Sequence, residues 1–491
     1  MLKEKDMQLS IYSELYYKIP KNHTLKLVRE AVDFSYINKV LEKSYCKYYG
    51  RPAKEPEMMV KLLVLGYLYN LSDERVIEDA SLNLAYMYFL DINPEDTLPH
   101  PSLLAKFRKH RLQDVSLDDI IALFVKQCVD KGIIKGSSVS IDTTHTEANT
   151  FKATPERVMK RLVSKMFKTL KEEVEKIPSD INQEIPDYKE IEDPKVAKET
   201  MKAYVEETIT TVTENVDVET TPKTKAVIEN AKEILSDPKF LAQKGVRSIV
   251  DQEARVGHKS KTSNFFGYKT EFMITTEDRI ITSVRVGNGA YVDGSFFDEL
   301  LQLTIKSGIS VEELYGDKAY FKKVILDKLK EIKAAAYIPV SEMAYRINEE
   351  LFSYNKDADQ WSCEQGNTTI KKYYKNTKNR QSYKYYFDRE KCKACPNRTD
   401  CIKGKNVGKI LEVGINTPEF YEYSQQQKQP EFKEKYKKRA CQEWKNGEMK
   451  CFHGLDRARG YGLKSMSTQA KLTALAVNIK RIGKILSSKT G

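Results

Sequence analysis

Apolar residues in the first 135 positions recur at the spacing of helices rather than of strands. Residues 57–69 predict an apolar helix, and residues 72–90 continue with helical periodicity behind Ser72 as the N-cap. After two proline-containing breaks, residues 102–111 predict a short basic helix that includes Lys106 and Arg108. This region is interpreted as an all-α domain over 1–130, either a helix-turn-helix-like DNA-binding bundle or a plain bundle, and composition alone favours the plain bundle.

Near residue 137 the pattern changes to the alternation of strands, beginning with Ser138-Val139-Ser140-Ile141-Asp142. A helical, acidic insertion at about 155–245 interrupts this region. Strands are then predicted at 265–275, at 280–286, in a short segment that ends at 317, and at 335–340. Helices are predicted between them at 293–305 and 321–332. Without the insertion, the order is strand, strand, strand, helix, strand, helix, strand. It predicts an α/β fold with a ribonuclease-H-like core over 137–340, whose mixed five-stranded sheet has three antiparallel strands followed by parallel ones.

The last 150 residues are predicted to form two further parts. Residues 341–430 are rich in Tyr, Lys and Asn, contain four of the eight cysteines, and are interpreted as a basic insertion. Residues 431–491 predict a core helix from about 430 to 450, a glycine-rich loop and a basic amphipathic helix around 468–486.

Charge is unevenly distributed along the 491 residues, whose 82 basic and 70 acidic side chains give a net charge of +12. Residues 171–220 hold 15 acids and 6 bases, whereas residues 369–410 hold 13 bases and 3 acids and residues 431–491 hold 15 bases and 5 acids. Two basic blocks suggest a polyanionic partner, with nucleic acid first, and charge alone leaves solvated surfaces as an equal alternative. The most apolar stretch, 58–71, contains Lys61 and is too short to span a bilayer, which argues against a membrane protein.

Three carboxylates are the candidates for catalysis. Asp142 ends one predicted strand and Asp317 follows another, where α/β proteins often place their chemistry, although each taken singly is more often a turn or cap aspartate. The C-terminal helix carries Tyr436, Arg439 and Glu443, with Lys450 two turns later, all within roughly a 60° arc of one face. Such a stripe suits a surface that faces phosphate and metal, and Glu448 is a weaker alternative to Glu443 because it lies off the stripe.

These motifs resemble a DDE-class insertion-sequence transposase of the branch with a Tyr-Arg-Glu-Lys signature. Tyr436, Arg439, Glu443 and Lys450 match that signature residue by residue. The two aspartate motifs are matched by Ile141-Asp142-Thr143-Thr144 and Gly316-Asp317-Lys318-Ala319-Tyr320. Further similar stretches are Gly50-Arg51-Pro52, Met58-Met59, Leu62-Leu63 and 102–108 for the helical N-terminal domain, and 251–259 with Phe266-Gly267-Tyr268-Lys269 for the approach to the second strand.

The resemblance implies phosphoryl transfer by two Mg²⁺ or Mn²⁺ ions held by Asp142, Asp317 and Glu443. It implies that Arg439 and Lys450 bind phosphates and that Tyr436 positions a phosphate or base. The implied partners are double-stranded DNA, as terminal inverted repeats and target, and a second copy of the chain in a synaptic complex. The implied location is the bacterial cytoplasm, associated with the nucleoid, without a membrane.

Cysteines and tryptophans add two open questions. Cys392 and Cys395 form a C-x₂-C pair, followed by Cys401 and preceded by Cys363. These four thiols are either a structural zinc site or free reduced cysteines. Trp361 is the better candidate than Trp444 for stacking on a flipped DNA base, with ordinary core packing as the alternative for both.

The sequence therefore predicts a DNA transposase that binds the terminal inverted repeats of an insertion sequence, cuts at its ends and joins the 3′ ends to target DNA. Two alternatives stay open: a catalytically inactive, transposase-derived DNA-binding protein, and a ribonuclease-H-fold nuclease without strand transfer.

Overall fold

The computed structural model describes residues 10–46, 53–112, 114–150, 153–238, 240, 248–259, 262–378, 380–402 and 406–490. Gly50-Arg51-Pro52, part of the N-terminal resemblance, lies outside the described residues, since positions 47–52 are not among them. Among the helices of the described ranges, none is both long and apolar enough to cross a bilayer.

The N-terminal region is helical, as its periodicity predicts. The Ser72 hydroxyl accepts a hydrogen bond from the Arg75 amide at 3.1 Å, which confirms the predicted N-cap. The predicted run 72–90 is two helices, because Asn83 caps the second with its own side chain. The helices are α1 (Thr24–Ala31), α2 (Tyr36–Leu41), α3 (Pro56–Leu68), α4 (Asp73–Leu82), α5 (Leu84–Leu90), α6 (Ser102–His110) and α7 (Asp114–Asp130), with 3₁₀ turns at Ile11–Lys18 and Glu42–Ser44.

A six-stranded mixed sheet forms the centre of the molecule. Its strands are β1 (Ser138–Glu147), β2 (Arg255–His258), β3 (Asn264–Thr275), β4 (Ile281–Asn288), β5 (Glu313–Tyr315) and β6 (Ala335–Tyr337). The order is β2-β3-β1-β5-β6, with β4 also paired to β3. β1, β3 and β4 are antiparallel neighbours, while β5 is parallel to both β1 and β6. The strands run in the predicted antiparallel and parallel directions. The predicted number of five strands is wrong, because the four residues of β2 have no alternating pattern that would identify a strand.

The acidic insertion between β1 and β2 folds around an apolar core of its own, separate from the main core. Its helices are α8 (Pro155–Glu173), α9 (Pro194–Asn215) and α10 (Pro222–Ser236). The connections between β4, β5 and β6 contain α11 (Phe297–Lys306), the 3₁₀ turn Lys318–Tyr320 and α12 (Lys323–Glu331).

Residues 341–430 form a mostly β region, which we call the cysteine subdomain. A hairpin of β7 (Phe352–Asn355) and β8 (Gln360–Cys363) precedes a three-stranded antiparallel sheet of β9 (Thr369–Thr377), β10 (Arg380–Phe387) and β11 (Ile410–Gly414). Two short helices, α13 (Arg389–Lys393) and α14 (Arg398–Cys401), connect β10 to β11, and α15 (Thr417–Lys428) ends the region.

The predicted C-terminal core helix is interrupted. It consists of α16 (Pro430–Tyr436), a 3₁₀ turn at Lys437–Arg439 and α17 (Ala440–His453), which continues through Asn446-Gly447 and ends at Gly454 with φ of 67°. The last helix, α18 (Gly462–Thr490), packs against α1, α3, α7 and β4. The N-terminal helices and the sheet therefore share one core.

Candidate active site

Asp142, on β1, and Asp317, two residues after the end of β5, lie at the same depth beside neighbouring parallel strands. The register between β1 and β5 pairs Val139 with Leu314 and Ser140 with Tyr315. Each aspartate lies two residues beyond the second pair, so both are placed towards the same edge of the sheet. The sequence suggested that Asp142 ends its strand. Asp142 instead lies in the middle of β1, because β1 continues beyond β5 and stays paired with β3.

The carboxylate of Asp142 is mostly buried, with 14% of its side chain exposed. Its Oδ1 accepts a hydrogen bond from the Thr143 amide at 2.9 Å. The pKa of Asp142 is raised to about 6, mainly by burial and also by the carboxylates of Asp317 and Asp293, while the Arg439 guanidinium and the Thr143 amide oppose the rise. A cation bound beside Asp142 would therefore stabilise its ionised form.

Helix α17 is docked on β1 by a buried amide. Gln442 Nε2 donates to the Ser140 carbonyl oxygen at 2.7 Å, which places the start of the helix above Asp142. Arg439 Nη2 then lies 3.3 Å from Asp142 Oδ2, and Arg439 Nη1 lies 3.5 Å from Glu443 Oε1. The guanidinium thus connects the first and third predicted carboxylates.

Glu443 is the most accessible of these groups, with 70% of its side chain exposed. Tyr436 is half-buried and stacks on Phe432 with ring centroids 5.9 Å apart. Burial raises the pKa of the Tyr436 phenol, and the carboxylates of Asp317 and Asp142 add to the effect although Arg439 opposes it. Tyr436, Arg439 and Glu443 consequently lie around the two aspartates, as their spacing predicts.

Lys450 belongs to a neighbouring cluster of basic groups. Its Nζ lies 3.3 Å from both ring nitrogens of His145, which is on β1 three residues after Asp142. Burial and the Lys259 ammonium lower the pKa of Lys450 to about 8. Burial, Lys450 and Lys259 lower the pKa of His145 to about 4, so the imidazole is neutral at pH 7 and can accept a hydrogen bond from Lys450. This cluster is suited to binding an anion, because an anion would stabilise the charged form of Lys450.

The described residues contain no group of three or more His, Cys, Asp or Glu side chains arranged to hold a metal ion. Arg439 lies between Asp142 and Glu443, where it partly neutralises both. The chemistry of the residues nevertheless fits a hard divalent cation, because the three candidates are carboxylates and a cation would stabilise the ionised form of Asp142. Binding such an ion at all three requires the guanidinium or the Glu443 side chain to move.

Glu448, the alternative third carboxylate, is directed elsewhere. It forms ion pairs with Lys445 at 2.7 Å and with Lys480 at 3.0 Å, between α17 and α18. Burial opposes this charge, but the two lysines outweigh it and lower the pKa of Glu448. Glu448 is therefore a structural carboxylate and not a substitute for Glu443.

The predicted DNA-contacting residues outside α17 differ in their surroundings. Lys106 is exposed on α6. Arg108 forms a two-pronged ion pair with Asp73, with Nη1 to Oδ1 at 2.8 Å, so its charge is used within the N-terminal region.

Trp361 cannot stack on a DNA base where it stands, since its side chain is 0% exposed. It packs in the core of the cysteine subdomain against Tyr354, Tyr385 and Tyr421. The proposal of Trp361 as a DNA contact is wrong, because a β-hairpin needs a large apolar side chain to build its core. Trp444, next to Glu443, is 57% exposed and lies 4.2 Å from the Arg279 guanidinium carbon.

Sequence reasoning missed two carboxylates beside the aspartates. Glu271 is fully buried on β3 opposite Thr143, where it accepts hydrogen bonds from the Tyr291 hydroxyl and the Gly294 amide. Asp293 forms an ion pair with Lys269 at 3.0 Å. A carboxylate two residues after Lys269, inside the predicted strand at 265–275, was the available signal for Glu271.

The four predicted zinc ligands lie in the cysteine subdomain. Cys363, Cys392, Cys395 and Cys401 line a single cavity of about 430 Å³.

Two protein-family models match the chain. One, described as a transposase domain (DUF772), matches residues 13–110, and the other, described as a transposase DDE domain, matches residues 362–483. The second match includes Arg439, Glu443 and Lys450 but not the two aspartates.

A solved structure, the cryo-EM structure of the piggyBac transposase synaptic complex with hairpin DNA, is similar over 99% of this chain and 78% of that one. The identity is 10% and the TM-score is 0.32. A comparison with curated proteins gave no match.

Proposed function

We propose that this chain, whose two domain matches identify it as an insertion-sequence DDE transposase, binds terminal inverted repeats, cleaves DNA at the element ends and transfers the 3′ ends to target DNA. The observation that carries the proposal is that Asp142 and Asp317 each lie two residues beyond the last pair between the parallel strands β1 and β5, with Arg439 joining Asp142 to Glu443.

The proposed core is ribonuclease-H-like. Support comes from the path β4-β3-β1-β5-β6, in which three antiparallel strands lead into two parallel ones. The first aspartate lies on the central strand and the second follows the adjacent parallel strand. This arrangement brings together carboxylates that are 175 residues apart in sequence, which local structure alone cannot do.

Asp142, Asp317 and Glu443 are the proposed ligands of two Mg²⁺ or Mn²⁺ ions. When bound, such ions activate a water or 3′-hydroxyl nucleophile and stabilise the leaving 3′-oxygen in a displacement at phosphorus. The role of Asp142 is to hold a mostly buried carboxylate at a fixed position, because β1 is paired with β3 at this residue. Arg439 and Lys450 are the proposed phosphate contacts, and Tyr436 is the proposed contact with the DNA end.

DNA is the proposed partner of several surfaces. β9 is almost entirely exposed and carries Lys371, Lys372 and Lys375 around Tyr373 and Tyr374, which are 54% and 55% exposed. Lysines bind phosphates and exposed tyrosines stack on bases, so this exposed strand suits DNA next to the cleaved end. Lys106 on α6 is a further proposed contact. Two copies of the chain, acting at the nucleoid, are proposed to hold the two ends in one synaptic complex.

The test is a cleavage and strand-transfer assay on labelled DNA that carries the element's own ends, in Mg²⁺ or Mn²⁺. Wild type is compared with Asp317→Asn and Glu443→Gln, and with Glu431→Gln as a matched control. Glu431 is an exposed acid on α16 whose ion pair with Lys435, at 3.3 Å, lies within the same helix at the surface, so its loss should leave activity unchanged. We expect cleavage and joining by wild type and the control, and DNA binding without cleavage by the two site variants.

Other outcomes decide between the alternatives. Specific binding without cleavage by wild type in either metal would favour a catalytically inactive DNA-binding protein. Cleavage without joining would favour a ribonuclease-H-fold nuclease. Sedimentation that finds one protomer on paired ends would contradict the proposed dimer.

A further inference from the structure

The cysteine subdomain brings together four thiols from three separate elements. Cys363 ends β8, Cys392 lies in α13, Cys395 follows that helix and Cys401 ends α14. All four line the same cavity of about 430 Å³, and the structure records each as a free cysteine.

Tight turns hold these cysteines at their positions. The Cys395 amide donates to the Cys392 carbonyl oxygen at 3.4 Å, which closes the turn within the C-x₂-C pair. The Gly366 amide donates to the Cys363 carbonyl oxygen at 2.9 Å, in the turn that leaves β8. A C-x₂-C turn facing further thiols is the usual arrangement of a structural zinc site.

The segment 388–402 has little else to hold it in place. Its two helices have five and four residues, far below the length at which an isolated helix is stable. Within this segment, all of which is described, Cys392 has the only buried side chain. A charged, solvent-exposed segment of this kind needs a cross-link, because it buries too little apolar surface to offset the entropy of ordering.

The polar groups around the thiols suit thiolate ligands. Asn367 Nδ2 donates to Cys392 Sγ at 3.1 Å, and Lys409 Nζ donates to the Cys401 carbonyl oxygen at 2.9 Å. Thiolates are preferred ligands of zinc, and the Asn367 amide would orient one of them.

We propose that Cys363, Cys392, Cys395 and Cys401 bind one Zn²⁺ ion as a structural site that orders α13 and α14. The four cysteines line a cavity wider than a zinc coordination sphere. In the described part of the chain, their sulfur atoms are farther apart than the ligands of a bound metal ion. Zinc binding therefore draws the four sulfurs inwards to about 2.3 Å from the metal, with release of the thiol protons. This site is independent of the proposed phosphoryl transfer, since none of its residues belongs to the carboxylate site.

The experiment measures metal content and coordination in the full-length protein, purified without chelator under reducing conditions. We expect one zinc per chain by mass spectrometry, and a cobalt-substituted sample with the visible spectrum of tetrahedral thiolate coordination. Cys395→Ser and Cys401→Ser should lose the bound zinc, whereas Cys46→Ser, an exposed cysteine in the N-terminal region, should keep it. Asn367→Ala should weaken zinc affinity by about 10–100-fold, because it removes the hydrogen bond to Cys392 Sγ.

The cobalt spectrum of wild type does not depend on any variant folding. Wild type that contains no zinc, and takes up neither zinc nor cobalt stoichiometrically after reduction, would overturn the proposal. Zinc that persists in both Cys395→Ser and Cys401→Ser, or a cobalt spectrum of oxygen and nitrogen ligands, would also overturn it.

Discussion

Arg439 Nη2 lies 3.3 Å from Asp142 Oδ2, although 297 residues separate the two in sequence. The same guanidinium reaches Glu443 Oε1 at 3.5 Å. A monovalent cation on a side chain therefore occupies the space between two carboxylates that we assign to divalent metal. Since Arg439 only partly compensates the buried charge of Asp142, the site should respond strongly to pH and to added metal.

Asp142→Asn should stabilise the metal-free protein at pH 8. The folded-state pKa of Asp142 is about 6 against an ordinary value of 3.8, so the folded chain holds this proton more tightly than the unfolded chain does. Wild type then loses stability as the pH rises from about 4 through 6, by about 2 kcal/mol, and the asparagine variant does not. Urea unfolding in chelator at pH 4 and pH 8 measures this. A gain that is equal at both pH values would show that ionisation is not its cause.

Mg²⁺ should raise the free energy of unfolding of wild type at pH 8, because it binds the folded carboxylates and not the unfolded chain. At a concentration 100 times the dissociation constant, the expected gain is about 2.7 kcal/mol. Asp142→Asn should show little of this gain, while Glu431→Gln should respond as wild type does. Equal stabilisation of wild type and Asp142→Asn would place the metal elsewhere.

Glu443→Gln and Glu448→Gln should have opposite effects, although the two glutamates are five residues apart on one helix. Glu443 is 70% exposed, so its replacement should change stability by less than about 0.5 kcal/mol but reduce cleavage by about 100–1000-fold. Glu448→Gln leaves Lys445, whose side chain is 3% exposed, without its carboxylate partner, and should cost about 1–3 kcal/mol of stability. Thermal unfolding and cleavage per folded molecule, measured on both variants, separate the two roles. Lost cleavage in a fully stable Glu448→Gln would reverse the assignment.

The sequence predicted the parts of this site that depend on periodicity. Residues Tyr436, Arg439 and Glu443 face the aspartates because their spacing follows the helical repeat, even though a 3₁₀ turn interrupts the helix at Lys437–Arg439. The order and direction of the core strands followed from alternation and from helices between parallel strands. Glu271 could not be assigned a place, because its role depends on Tyr291 and Gly294, which approach it only in the folded chain.

Trp361 and Arg108 show where sequence reasoning fails. An isolated tryptophan in a basic segment has the same sequence signature whether it faces DNA or fills a small core, and the hairpin of β7 and β8 decides for the core. Arg108 stands in a basic helix, but Asp73, 35 residues earlier, takes up its charge. Composition reports the presence of such groups, and only the tertiary structure determines which of them remain free for a partner.

Lys450→Met should weaken DNA binding and change its pH dependence. Because burial and Lys259 lower the pKa of Lys450 to about 8, wild type should lose affinity for DNA ends between pH 7 and pH 9 as the ammonium deprotonates. The variant should bind about tenfold more weakly at pH 7, with a flatter pH profile and a salt slope smaller by about 0.9. Fluorescence anisotropy over a salt and pH series measures all three. Lys189→Met, at an exposed position in the acidic insertion, is the matched control, and an unchanged slope in Lys450→Met would remove this lysine from the DNA interface.

The two tryptophans should separate folding from DNA contact. Trp361 is fully buried, so Trp361→Ala should cost about 3–5 kcal/mol of stability. Trp444 is 57% exposed and stacks with Arg279, so Trp444→Ala should cost less than about 1 kcal/mol. If a DNA base stacks at this site, Trp444→Ala should weaken binding of a DNA end by about 1–3 kcal/mol, and Trp444→Phe should restore much of it. Urea unfolding and anisotropy with cleaved-end DNA test the pair, and unchanged affinity in Trp444→Ala would leave neither tryptophan as a stacking residue.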